Sequence, residues 1–227
     1  FVLFERNGVV ALLKPAGTTS ERALAELGEQ LATSGRPNLI TSVSRLDLMT
    51  SGVLVAALGG PDSATAQLLI AQFAGRLVSK EYVCMCVGEA LGQQSTMGEA
   101  LHALLEETSV GGEHVVALSD RGKDARTTYH VLELYPGCNS ERHGASSGDH
   151  SMVVATLLVV RPATGRRHQI RAHLGALGRP LAADPSYGGR NFGHDVEWCS
   201  RTFLHCRRLV LRGVDGEDFD ASAPPPT

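Results

Sequence analysis

One acid and one guanidinium stand close together in Ser44-Arg45-Leu46-Asp47-Leu48-Met49-Thr50-Ser51-Gly52, just ahead of the apolar run Val53-Leu54-Val55-Ala56-Ala57. A carboxylate where a loop feeds a buried strand is held firmly and can still face a cleft, which suits a catalytic acid. Far downstream lies a second segment, Thr164-Gly165-Arg166-Arg167-His168-Gln169-Ile170-Arg171-Ala172-His173-Leu174. Thr164 and Gly165 form a turn whose backbone N–H groups can meet a phosphate at a helix N-terminus. On a helix starting near His168, Arg171 lies one turn on and His173 falls on an adjacent face. Arg166, Arg167 and His168 gather positive charge at the helix end where the macrodipole favours acids. A local rule broken without structural gain points to an anionic ligand. Together the two segments suggest a catalytic acid and an anion-binding helix end.

The same segments resemble the RluA-type pseudouridine synthase family. Its first signature, His-Arg-Leu-Asp-x-x-Thr-Ser-Gly, corresponds to Ser44–Gly52, with Ser44 in place of His. Its second, Lys-x-Tyr followed by a strand and Gly, corresponds to Lys80-Glu81-Tyr82 and Gly88. The third covers Thr164–Leu174 and continues through Leu177-Gly178-Arg179-Pro180 and Asp184-Pro185-Ser186-Tyr187-Gly188. Weaker echoes follow in the expected order: Lys14-Pro15-Ala16-Gly17, Gly122-Lys123-Asp124-Ala125 with Thr127 and Tyr129, Leu204-His205, and Phe219–Pro224.

The resemblance implies isomerisation of a uridine in structured RNA: the N1–C1′ bond breaks, the uracil turns, and C5 joins C1′. It implies no cofactor and no metal. Asp47 takes the place of the essential carboxylate, as nucleophile or as base, and Arg171 that of its ion-pair partner. Tyr82 takes the place of the aromatic that stacks on the target base, which must first leave its own stack. Arg45, Lys80, Arg166, Arg167, His168 and His173 become the expected RNA contacts: Arg45 helps hold the flipped geometry, and Arg166, Arg167 and His168 meet phosphates without reading sequence. Ser44 bears on the choice of RNA rather than on catalysis. Ribosomal RNA is the favoured substrate, transfer RNA the other, and a pre-ribosomal particle the larger partner. A reading from another class is an RNA-binding assembly factor that keeps the fold and acts as a scaffold on a maturing ribosome.

Composition is compatible with this. The 227 residues carry a net charge of −3, yet Arg161 to Arg212 holds ten Arg and four His against three acids. One positive face on an otherwise neutral or acidic molecule is expected. The five cysteines include no Cys-x-x-Cys pair, so neither a disulfide framework nor a zinc ribbon is expected. No apolar run reaches the ~20 residues that span a bilayer. The chain starts at Phe1 rather than Met. That leaves room for an organellar presequence, and the expected location is the mitochondrion, otherwise the cytoplasm.

The elements that must position these residues follow from periodicity. Strands are expected at Val9–Leu13, Val53–Leu58, Glu81–Val87, Arg126–Leu134 and Met152–Val160, with late strands near Leu209 and Phe219. Helices are expected at Glu21–Ala32 capped by Ser20, from Asp62 or Ser63 through Phe73, around Glu99–Glu107, and at His168–Leu177 ended by Gly178. The polar stretch Pro136–His150 reads as a surface insertion. Strands without regular βαβ alternation predict an α+β fold: a single catalytic domain around a largely antiparallel mixed sheet flanked by helices.

Overall fold

A computed structural model describes residues 2–110, 113–136, 154–189 and 192–226. The expected insertion at 136–150 lies almost wholly outside the described residues. Contacts divide the chain into two compact units, Phe1–Tyr82 with Ala163–Gly165 and Leu204–Thr227, and Val83–Pro162 with Arg166–Phe203.

The first unit is built on β2 (Val9–Lys14) and β4 (Ser51–Leu58), which pair antiparallel with Leu12 opposite Leu54. Both are near-continuous apolar runs because both of their faces are covered. Val9, Ala11, Val53, Val55 and Ala57 share one core with Ala66 and Leu69 of α2 (Ala64–Ala74). Val10, Leu12, Leu54 and Ala56 pack on the opposite face with Ala23, Leu24, Leu27 and Leu31 of α1 (Ser20–Thr33). β1 (Val2–Arg6) pairs with the outer edge of β2. On the other edge of β4, β3 (Ile40–Ser42) pairs along Ala56–Leu58, and β10 (Leu204–Arg212) pairs in parallel at Ser51 and Gly52. β11 (Asp218–Ser222) closes antiparallel on β10.

Caps match the sequence at α2, where Ser63 accepts from Ala66 N–H and Gly75 ends the helix. At α1 the cap is Thr19 rather than Ser20, its hydroxyl accepting from Arg22 N–H. The difference has a physical reason, because the Ser20 hydroxyl is engaged with the backbone of Leu46 instead.

The second unit is an antiparallel sheet in the order β9 (Val154–Pro162), β8 (Lys123–Pro136), β6 (Met97–Val110), β7 (Glu113–Leu118), with α3 (Gln169–Ala176) packed on it. The helix expected around Glu99–Glu107 is strand β6. Its Ala, Leu and Glu residues favour a helix locally, but pairing with β7 on one side and β8 on the other overrides that preference. α3 starts and stops within a residue of its expected bounds, and Gly178 beyond it has φ +70°. A short helix α4 (Phe192–Trp198) follows, and β5 (Ser79–Gly88) contributes to both units. The largely antiparallel strands with flanking helices make the fold α+β.

Among the described residues no helix is long and apolar enough to cross a membrane, and no group of three or more His, Cys, Asp or Glu side chains could hold a metal ion.

One contact sets the register of the first unit. Gly52 has φ +118°, and a Cβ placed there would stand 2.2 Å from the carbonyl oxygen of Cys206 and 2.5 Å from its nitrogen. Only glycine lets β4 approach β10 this closely. Gly52→Ala is expected to cost at least about 3 kcal/mol in chemical denaturation, overpacking and backbone strain adding together. A loss below about 1 kcal/mol would show that the strands separate cheaply.

Candidate functional site

In the first unit the turn bearing Asp47 is braced on every side. Leu46 N–H donates to Ser20 Oγ at 3.0 Å, and Ser20 Oγ donates to Leu46 O at 3.2 Å. Thr50 N–H closes the turn on Asp47 O at 3.1 Å. Leu48 O accepts from Gly17 N–H at 2.9 Å and from Lys14 Nζ at 3.2 Å. Asp47 is thus fixed at the residues immediately before and after it, while its own side chain is half-buried.

Lys14 is the last residue of β2 and has no exposed surface. Its ammonium donates to three carbonyls, those of Thr18 at 2.6 Å, Pro15 at 3.0 Å and Leu48 at 3.2 Å. Burial pulls its pKa from 10.5 down to about 8, and the carboxylates of Asp47 and Glu21 oppose that shift. The residue stays largely cationic at neutral pH beside the Asp47 turn.

Behind the turn, Ser51 and His205 face each other across the parallel β4–β10 pair. Ser51 Oγ lies 2.9 Å from His205 Nδ1, and Nε2 of the same ring lies 3.1 Å from Ala223 O. A carbonyl only accepts, so Nε2 carries the proton and Ser51 donates to Nδ1. The next residue on β10, Cys206, is buried, and its thiol is pushed up to about 12, chiefly by burial. Tyr82 packs against the core that contains Cys206. Burial raises the Tyr82 phenol well above 10, and Cys206 and Asp47 push the same way. Lys80 Nζ sits 3.5 Å from Thr164 O, and burial lowers its pKa. The structure therefore brings Asp47, Tyr82, Lys80 and Lys14 together within one unit. Arg45 is exposed beside Asp47, and the Ser44 hydroxyl turns inward to donate to Val55 O at 3.0 Å.

In the second unit the basic segment enters α3 through an irregular turn. Arg166 N–H donates to Gln169 Oε1 at 3.0 Å, and Arg166 Nε donates to Asp124 O at 3.1 Å. Gln169 Nε2 in turn donates to Arg126 O and Thr127 Oγ1, both at 2.9 Å. The segment is thereby stitched to β8. Arg166, Arg167 and His168 are each half-buried. Arg171 is buried, with Nε and Nη2 gripping Asp184 Oδ2 at 2.7 Å and Oδ1 at 2.9 Å. A bidentate fork of this kind is the strong form of the pair.

His173 departs from its expected role. It has no exposed surface, its Nδ1 lies 2.9 Å from Thr127 Oγ1, and burial lowers its pKa to about 4. A buried neutral imidazole cannot serve as a phosphate contact, so His173 belongs to the packing of α3 on β8.

Several working residues were not singled out from the sequence as site residues. Lys14 ends an apolar strand directly before Pro15, and a lysine in such a run must find acceptors when buried. Asp184 and Tyr187 are legible in the sequence only as parts of a motif. The Ser51–His205 contact joins positions 154 residues apart, and no local pattern signals it.

With this geometry in view, residues 8–176 match the sequence model of the family described as RNA pseudouridylate synthase. The chain belongs to that family. Ribosomal large subunit pseudouridine synthase C of Yersinia pestis is 30% identical, the match covering 98% of this chain and 65% of that protein. Its namesake in Escherichia coli K12 is 29% identical over 92% of this chain and 60% of that protein. The chain thus spans about 60–65% of the length of these curated relatives. Among solved structures, human RNA pseudouridylate synthase domain containing 1 superposes with a TM-score of 0.76 at 24% identity, covering 99% of this chain and 83% of that one. Human RNA pseudouridylate synthase domain containing 4 gives 0.69 at 20% identity, covering 99% and 88%. These likenesses establish the pseudouridine synthase fold.

Lys14 yields a prediction with a definite sign. Its folded pKa of about 8 lies below the unfolded value of 10.5, so between these values the unfolded chain binds more protons and stability rises with pH. Below about pH 8 the cost of burying the charge is present in full. Lys14→Met is expected to flatten the stability curve between about pH 8 and pH 10.5, read by denaturant unfolding of both proteins. An unchanged pH slope would place the ammonium in solvent.

Proposed function

We propose that the protein is an RNA pseudouridine synthase with Asp47 as its catalytic carboxylate. The supporting observation is the braced turn: Asp47 is held from both neighbours, with Tyr82 and the Lys14 ammonium within electrostatic reach. Fixed groups aimed at a reacting centre are what a positioned nucleophile or base requires, because little reorganisation remains to be done at the reaction step.

In this reading a uridine leaves its stack and its uracil lies against Tyr82. Asp47 either attacks C1′ and displaces N1, or removes a ribose proton as the N1–C1′ bond breaks; the uracil rotates, and C5 bonds to C1′ as the Asp47 carboxylate is displaced or the ribose proton is returned. The proton on C5 is then lost, restoring the aromatic character of the base. The assignment of Arg171 as counter-ion to Asp47 rests on its motif position. Asp184 holds that guanidinium in one orientation. Arg45, exposed beside Asp47, contacts the RNA around the extruded nucleotide. Arg166, Arg167 and His168 meet phosphates and position the RNA without reading its sequence. Ribosomal RNA is the proposed substrate, in line with the names of the curated relatives.

Two experiments test the reading. Asp47→Ala should abolish pseudouridine formation while leaving RNA affinity nearly intact, scored by mapping pseudouridine across total RNA from cells carrying the wild type or the variant. The same sites modified in both samples would leave only the scaffold reading. Arg166→Ala should weaken RNA binding and reduce the slope of log K against log salt by about 1. An unchanged slope would remove Arg166 from the phosphate face.

A further inference from the structure

His168 stands at the head of α3 with φ +50° and ψ +18°, and its side chain caps no backbone N–H. An L-residue in the left-handed region is strained, and such strain persists only where surrounding contacts impose it. Tyr187, outside α3, makes the contacts that can do so. Its Oη lies 3.2 Å from His168 Nδ1, and the two rings meet edge to face with centroids 5.9 Å apart at 87°. The same oxygen accepts from Val116 N–H at 3.0 Å and donates to Val116 O at 3.1 Å.

A phenol has one proton to give. That proton goes to the Val116 carbonyl, which can only accept, so the hydroxyl meets His168 with a lone pair. His168 Nδ1 must then carry its hydrogen, which fixes both the tautomer and the plane of the ring. Tyr187 is itself immobilised. Its N–H donates to Asp184 Oδ1 at 3.2 Å, and the Arg171 guanidinium lies 5.1 Å from its ring centroid. A Cβ at Gly175 of α3 would stand 3.2 Å from the Tyr187 Cβ. One ring therefore ties the edge strand β7, the Asp184 turn and the left-handed residue that opens α3.

We propose that Tyr187 is a positioning residue for RNA binding: its hydroxyl locks His168, and with it the turn carrying Arg166 and Arg167, in the conformation that meets phosphate. The proposal rests on the reading that the head of α3 contacts RNA. It concerns binding rather than isomerisation, so it is tested by affinity and by a signal from the free protein.

Tyr187→Phe keeps the ring over Arg171 and removes only the hydroxyl. With a uridine-containing RNA hairpin as probe, Kd and KM should rise about threefold to tenfold, the worth of one net hydrogen bond, with a smaller change in kcat. In a His168→Gly background, where the strain and the imidazole are both gone, the same substitution should add nothing further. The imidazole 15N spectrum of the unliganded protein should show Nδ1 protonated in the wild type and a changed tautomer balance in Tyr187→Phe. The proposal is overturned if Tyr187→Phe binds the hairpin as tightly as wild type. It is equally overturned if the loss is as large in the His168→Gly background, since the hydroxyl would then act through Val116 alone. A wild type that binds RNA with this coupling yet forms no pseudouridine would sink the synthase reading and leave the proposal standing.

Discussion

The first unit depends on how closely two backbones approach. Where β4 begins, Gly52 lies so near Cys206 that no side chain fits between them. Three consequences follow from that one contact. Ser51, the neighbour of Gly52, is brought onto His205, and the ring of His205 reaches Ala223 at the far end of the chain. Cys206 is drawn into the core against which Tyr82 packs. The turn that carries Asp47 is anchored at the point where it becomes strand. The Thr-Ser-Gly sequence after the acid is thus a set of positional demands: a hydroxyl for the imidazole, then no side chain at all.

The two units handle buried cations differently, and each solution suits its place. Lys14 is satisfied by three carbonyls, and burial lowers its pKa. Carbonyl dipoles fix the ammonium without neutralising it, so its charge still acts on Asp47. Arg171 is instead gripped by a carboxylate, with two parallel bonds to Asp184. A fork on one edge of a planar guanidinium sets the direction of the whole group, which a point charge such as an ammonium would not allow. Removing either partner would take its counter-ion from a buried charge, a costly kind of loss in such a pair.

What could be read from the sequence divides along physical lines. The apolar runs of β2 and β4, the Ser63 cap and the Gly178 stop all express local preferences, and the structure keeps them. Asp47, Tyr82 and Lys80 were visible as motif residues, and the structure gathers them in one unit. The misread elements are those where distant partners decide. Residues 99–107 favour a helix alone but lie between two strands. The motif puts His173 among the RNA contacts, and only the packing of α3 on β8 shows it buried. Ser20 was available as a cap, yet the Leu46 backbone competes for its hydroxyl and wins, and Thr19 takes over the cap. Burial and long-range pairing carry no local signature, which is why the bracing around Asp47 was less legible than Asp47 itself.

The head of α3 shows how a violated preference can be informative. Its first turn contains no acid, its N-cap residue His168 is left-handed, and the His168 side chain makes no cap hydrogen bond. Each feature disfavours the helix taken alone. Yet the surroundings work to preserve the arrangement: Gln169 is tied to β8, Arg166 to Asp124, and His168 to a tyrosine that is itself held at three points. A fold selected only for stability would relieve such a site with a glycine at 168 and an acid in the first turn. Instead the strain is braced, and the charge that would repel the helix dipole is kept beside it. The bracing holds the turn of Arg166 to His168 in one conformation at a helix end whose dipole favours anions.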